Sequence, residues 1–321
     1  MTAAAETDSA GISQRDILKG ASALFSEIAF SFGIAIFVKW LEPSLSIIVI
    51  LFFRYLCCLP LLFAYGLVER GRHVLQINNK KILALRTLSG FLGLTGWFLA
   101  VSLIDLSLAT ALSQTMPIFI TLLAAIIIGE RVGKHRIGAV LAGFVGVMIL
   151  LGPTQLTAPS LGVFSALAST FFAALMFVFL RILGRGDAAV STALWYNIFG
   201  TFAAGSMALV IGADWPDVNA PLPIWGMLIA VGVLASFQQL LMALSHRYAP
   251  ASVLAPVHYT SIPLGVMIGI VFFDEELTLG FIVGVVIILT ANYYILNRER
   301  ALARRQDQTN LQPRDKGNHG S

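Results

Sequence analysis

The chain has 321 residues, 57% of them hydrophobic and only 12% charged, with a mean hydropathy of +0.84 and a formal net charge of +4. A water-soluble chain carries about 25% charged residues, and a folded body of this size has a large surface to cover with polar groups. So few charges exclude a soluble multidomain protein and make a bilayer the solvent.

A spanning helix needs about 20 predominantly apolar residues. Apolar runs occur at 17–38, 46–67, 82–104, 106–128, 137–151, 160–180, 188–211, 222–244, 249–272 and 278–296. They are continuous rather than alternating with period two, which predicts helices and not a barrel. A helix also satisfies its backbone within its own segment, as hydrocarbon demands. Ten runs absorb nearly the whole chain and leave two tails, 1–16 and 297–321. The first tail, MTAAAETDSAG onward, is acidic and has no basic stretch ahead of a short apolar core, so the first run is expected to remain as an uncleaved anchor. Cys57 and Cys58 are adjacent, which is unsuited to an ordinary disulfide; they read as reduced packing residues. The fifth run is short, but Lys134, His135 and Arg136 before it can snorkel.

Basic residues orient the runs. With the N-terminus inside, 19 of the 21 Lys and Arg fall in inside segments, Lys39 falls outside, and Arg54 lies within a span. The outside loops 152–159, 212–223 and 273–277 hold none. This positive-inside bias predicts both termini in the cytoplasm and an even number of spans. The net positive charge then faces anionic lipid, and no basic stripe with exposed aromatics offers itself to nucleic acid.

Residues 100–150 repeat at 246–296. At an offset of 146, Pro117 meets Pro263, Glu130 meets Glu276 and Gly138 meets Gly284; an offset of 145 fits Ser107 with Ser252 better. At 142, Gly20 meets Gly162 and Lys39 meets Arg181. The predicted fold class is therefore an all-α membrane protein of ten transmembrane helices, in two halves at 17–151 and 160–296. Five spans per half is odd, so the second half is inverted. Inverted repeats commonly enclose a substrate site near the bilayer midplane; the other reading is that duplication merely makes a stable bundle.

FRYL at 53–56, LATALSQTMPIF at 108–119, GERVG at 129–133, APASVLAPVHYTSIP at 249–263 and FFDEEL at 272–277 resemble, in order and spacing, the bacterial EamA-type branch of the drug/metabolite transporter superfamily. The likeness spans residues 15–297. It implies ten spans in two EamA repeats and movement of small organic solutes, with members serving amino acids, nucleosides, adenosylmethionine, vitamins such as riboflavin, and drugs. The triple acid Asp274-Glu275-Glu276 departs from the family's usual single Gly-Glu, so any of the three could match Glu130.

Charges inside a bilayer cost about 2.5–3.5 kcal/mol on insertion scales and normally face a partner or a polar route. Glu27 and Arg54 stand at similar depth, about 15 and 20 Å from the inner ends of consecutive runs at 1.5 Å per residue, so they are able to meet. Either Glu27 is a protonatable coupling group and Arg54 holds an anionic substrate group or Glu27 itself, or the two form a fixed ion pair. Gln114 and Thr115 precede Pro117, and His258, Tyr259 and Thr260 precede Pro263. Pro117 and Pro263 are expected to bend their helices, and a helical proline frees the carbonyl four residues earlier, so these positions either line a polar route or bond back to their own helices. His258 is also an imidazole able to titrate near neutrality. Trp97, Tyr196, Asn197, Gln238 and Gln239 form a further set suited to stacking on a planar ligand and reading its edges, or to packing. Gly280 and Gly284 make a GxxxG face, read as internal packing or as a homodimer seam.

No GxSxG, HExxH, Walker loop, GxGxxG or Cys/His cluster is present. No cofactor or metal is expected, and the reading is a non-enzyme: a secondary carrier of a small metabolite, such as riboflavin or an amino acid, in the bacterial inner membrane. The alternatives are a membrane-embedded lipid-acting enzyme and a non-transporting scaffold.

Overall fold

A computed structural model describes residues 14–128, 134–157, 160–183, 187–217, 220–248, 254 and 257–294. Glu130 and residues 249–253 of the second motif lie outside these. The regular elements are helices: α1 (Gln14–Leu41), α2 (Ile47–Arg70), a single 3₁₀ turn (Gly71–His73), α3 (Lys80–Leu103), α4 (Leu106–Ser113), α5 (Met116–Ile128), α6 (Lys134–Thr157), α7 (Leu161–Leu183), α8 (Ala189–Val210), α9 (Leu222–Tyr248), α10 (Ser261–Phe273) and α11 (Leu279–Tyr294). Six helices, α1 to α3 and α7 to α9, contain stretches long and apolar enough to cross a membrane. Shorter apolar helices cover Leu106–Ile120, Leu141–Gly152, Ser261–Phe273 and Leu279–Tyr294.

Helix ends follow local chemistry. Asn79 caps α3 by accepting from the Ile82 amide at 3.1 Å, so one otherwise orphaned donor is satisfied. Asp16 lies in the first turn of α1 and Lys39 in its last, each sign matching the helix dipole. Outward-facing apolar side chains are plentiful: Val68, Val210 and Ile126 are each at least 80% exposed, which only a lipid surround makes favourable.

Helix pairing carries the duplication. α3 packs along α7, α1 along α9, and α2 along α8. Exchanging the two repeats turns the α3–α7 pair into the α9–α1 pair and leaves α2–α8 unchanged. The α3–α7 seam is tight because α3 offers small residues to α7: a Cβ on Gly93 would lie 3.1 Å from the Ala173 amide nitrogen, and Ser169 Oγ donates to the Gly93 carbonyl at 2.7 Å. Loops assigned to one side also bond to one another. The amides of Asn78 and Asn79 donate to Asp187 at 2.6 and 3.2 Å, joining the α2–α3 and α7–α8 connections.

The Gly280/Gly284 face is filled within the monomer. A Cβ on Gly284 would lie 2.5 Å from Leu150 Cβ and 2.7 Å from the Gly146 carbonyl, and one on Gly280 would lie 3.2 Å from the Ile149 carbonyl. α11 thus uses this face against α6, the internal-packing alternative of the two readings above. Arg86, one of the basic residues counted above in the inside segments, stands buried one and a half turns inside α3.

Candidate functional site

The fourth and ninth apolar runs are each broken. The fourth divides at Gln114–Thr115 between α4 and α5, and the ninth turns at Tyr259–Thr260 before α10. Pro117 and Pro263 do not kink a continuous helix. Each sits in the first turn of the segment after the break, where its missing amide costs no hydrogen bond. Thr115 Oγ1 donates back to the Leu112 carbonyl at 2.7 Å, and Thr260 Oγ1 to the Val257 carbonyl at 2.6 Å. These hydroxyls seal the turns. Gln114 behaves differently: its Nε2 donates to Ser261 Oγ at 2.8 Å, and its carbonyl, freed by the break, accepts from Asn292 Nδ2 at 2.6 Å. The two discontinuities, one per repeat, are therefore bonded to each other. His258 and Tyr259 lie half-buried at the second break.

Glu27, buried in the middle of α1, accepts from Gln238 Nε2 of α9 at 3.1 Å. It forms no ion pair with Arg54 among the described residues. α1 packs chiefly on α9, so a side chain from α9 reaches Glu27 first. Asn197 of α8 donates to Gln239 Oε1 of α9 at 3.2 Å, and Gln239 Nε2 donates to Cys58 Sγ of α2 at 3.3 Å. Trp97 packs half-buried against the core formed with α1 and α2.

Arg54 and Arg86, 4% and 7% exposed, flank a tyrosine pair. Arg54 Cζ lies 5.3 Å from the Tyr55 ring centroid, and Arg86 Cζ 4.3 Å from that of Tyr196. The rings meet edge-on at 5.3 Å; Tyr55 donates its hydroxyl to Tyr196 Oη at 3.0 Å, and Tyr196 donates to the Gly90 carbonyl at 3.1 Å. Nε and Nη1 of both arginines are buried without a hydrogen-bond partner among the described residues. Cation–π contact contributes about 0.5–2 kcal/mol, whereas burying an ion costs several kcal/mol. The rings therefore offset only part of that cost.

A further polar cluster joins the repeats at one end of the bundle. Glu275 accepts from the amides of Leu106 and Ser107, the latter at 2.9 Å, and from Lys39 Nζ at 3.1 Å. It caps α4 from a distant loop, since Asp105 at the N-cap makes no side-chain bond there. Burial acts to raise the Glu275 carboxyl, but these hydrogen bonds outweigh it and hold the group below its ordinary range. Of the triple acid, Glu275 is the buried member; Asp274 turns the chain at φ 52° and Glu276 is exposed. Among the described residues no group of three or more His, Cys, Asp or Glu is placed to hold a metal ion.

Sequence reasoning passed over Arg86, Tyr55 and Glu275 with Lys39. Arg86 was legible as the cation following Leu83 and Leu85 in an apolar stretch. The Lys39–Glu275 contact, 236 residues apart, left no local signal.

A family model described as the EamA-like transporter family matches residues 19–152 and again 160–297. The riboflavin transporter of Brucella anthropi is 24% identical over 258 residues, covering 80% of this chain and 90% of the relative. The pseudopaline exporter CntI of Pseudomonas aeruginosa is 27% identical over 279 residues, 86% and 95%. The S-adenosylmethionine uptake transporter of Rickettsia prowazekii is 22% identical over 263 residues, 82% and 87%. A solved crystal structure superposes with a TM-score of 0.60 at 15% identity, covering 90% of this chain and 98% of that one, which speaks to the fold alone.

Proposed function

The chain belongs to the EamA-like transporter family, and from that premise we propose that it is a secondary carrier working by alternating access between two inverted five-helix halves. Its small-molecule transport is common to relatives of different cargo. The cargo proposed here is a small organic metabolite, a vitamin such as riboflavin or an amino acid. The chain would lie in the bacterial inner membrane with ten spans and both termini in the cytoplasm.

The observation that carries this reading is the meeting of the two broken spans through Gln114 and Ser261. Interrupted helices free backbone and amide groups for a solute at the level where two repeats abut. Elsewhere in the bundle, Glu27 with Gln238, and Asn197 with Gln239, supply polar groups from α1, α8 and α9. His258 and Tyr259 would add a titratable ring and a phenol from the second break, Trp97 a flat apolar face, and Arg54 a cation. Purified protein in liposomes tests the proposal. Saturable counterflow of riboflavin or an amino acid without nucleotide is expected, with at least tenfold loss in Gln114→Leu. An inert protein across both solute classes, or full activity in that variant, would count against it.

A further inference from the structure

We propose that Arg54 and Arg86 form a binding site for an oxyanion, the carboxylate or phosphate of a small organic solute, on either side of the Tyr55–Tyr196 pair; that this anion is cargo rests on the carrier reading above. Each side chain is more than nine-tenths buried, and each leaves Nε and Nη1 without a hydrogen-bond partner among the described residues. A guanidinium stays protonated in proteins, so burial cannot neutralise it as it would a lysine or a carboxylic acid. The two acids buried among the described residues are engaged elsewhere. Glu27 accepts from Gln238, and Glu275 is held by Lys39 and the first amides of α4. Two like charges therefore stand around one pair of bonded rings with no counter-charge from the described chain. Intramembrane cations of this kind mark substrate or ion routes.

The donor type selects the ligand. Guanidinium presents a planar fork that matches the two oxygens of a carboxylate or phosphate. The surroundings are aromatic: Tyr55 stacks on Phe91 with centroids 6.1 Å apart, and Phe91 meets Phe199 edge-on at 6.0 Å. An acid with a flat apolar body suits both parts. Tyr196 lies between the charges with its hydroxyl already donated to Gly90, so recognition falls to the arginines.

Thermal unfolding of the detergent-purified full chain tests this without relying on transport. The probes are benzoate, phenyl phosphate and inorganic phosphate, with benzamide as the uncharged match of benzoate. Benzoate or a phosphate is expected to raise the unfolding midpoint saturably while benzamide does not. Arg54→Gln and Arg86→Gln should each weaken that apparent affinity at least tenfold. Inorganic phosphate acting as well as phenyl phosphate would assign recognition to the charged head; a preference for phenyl phosphate or benzoate would assign it to head and aromatic body together. Removing a buried unpaired charge should leave the ligand-free midpoint unchanged or higher. Arg54→Lys and Arg86→Lys keep the charge without the fork, and are expected to fold and to bind more weakly than wild type. The proposal is overturned if no anion shifts the midpoint, or if the glutamine variants lose ligand-free stability while binding anions normally. Counterflow of neutral solutes in that case would leave the carrier reading intact. Anion shifts without flux of any solute would leave the site and sink the carrier.

Discussion

Tyr55 and Tyr196 can meet only because glycines stand beside both rings. A Cβ on Gly200 would lie 2.6 Å from Tyr55 Cδ1 and Cε1, and one on Gly90 would lie 2.8 Å from Tyr196 Cε2. Buried rings in a packed core cannot move aside freely, and overpacking costs about 1–3 kcal/mol. Gly200→Ala is therefore expected to lower the unfolding midpoint by several degrees and to part the Tyr55–Tyr196 hydroxyls, whereas Gly138→Ala, where a Cβ meets nothing within 4 Å, should not. A midpoint equal to wild type in Gly200→Ala would contradict this packing. Glu27 gives a second residue-scale expectation. Gln in its place still accepts from Gln238 but carries no proton, so Glu27→Gln should fold normally and flatten the dependence of uptake on external pH; an unaltered pH profile removes the coupling role. Sequence exposed Glu27, Arg54, Gln114, Asn197 and Gln238 because a polar side chain inside an apolar run is conspicuous. It did not expose their pairings. Depth along neighbouring runs allowed Glu27 to meet Arg54, but which helix lies alongside α1 depends on packing between repeats, and that helix is α9.

The α4 N-terminus shows why an element can depend on a residue far away in sequence. Its first amides need acceptors, its own N-cap Asp105 supplies none, and Glu275 does so from the loop between α10 and α11. A carboxylate held below its ordinary value contributes stability above the unfolded value of about 4.3. That contribution fades as pH falls through the lower folded value. Glu275→Gln should thus lower the midpoint at pH 7, and its deficit relative to wild type should shrink on acidification below pH of about 4. Charged hydrogen bonds of this kind contribute about 1.5–3 kcal/mol. A deficit constant from neutral to acid pH would show that the charge is not what holds the cap. For α11, Gly284→Leu should destabilise the monomer by displacing α6 and leave the oligomeric state unchanged. Stable protein with altered oligomeric state would instead favour the dimer seam. The apolar runs were visible from composition and length. The interruptions in the fourth and ninth were signalled only by proline, which says that a helix is disturbed but not whether it bends or stops. Here both stop and restart, because Gln114, Ser261 and Asn292 accept and donate across the gap.

At the scale of the whole molecule, the helix pairing and the repeat register together predict how one end relates to the other. Lys39 and Glu275 close one end by joining α1 and α4 of the first half to the α10–α11 loop of the second. The repeat offset of 142 places Arg181 opposite Lys39, and an offset of 145 places Glu130 opposite Glu275. If the halves are inverted, the same pair of residue types serves the other face of the membrane. Alternating access then requires that weakening one closure favours opening at its own end. Spin labels at Leu103 and Leu277, both exposed, the first three residues before the Leu106 amide that bonds Glu275 and the second two residues after Glu275, read that end in a background where Cys57 and Cys58 are serine. Glu275→Gln should lengthen the Leu103–Leu277 distance distribution. Glu130→Gln should narrow it toward the short distance, since opening the opposite end stabilises this one closed. The double variant should return toward wild type, because both closures lose a charge and the balance between the two states depends on their difference. Parallel lengthening in both single variants would mean that the acids stabilise a single rigid bundle. The duplication would then have been retained for packing and not for exchange between two faces.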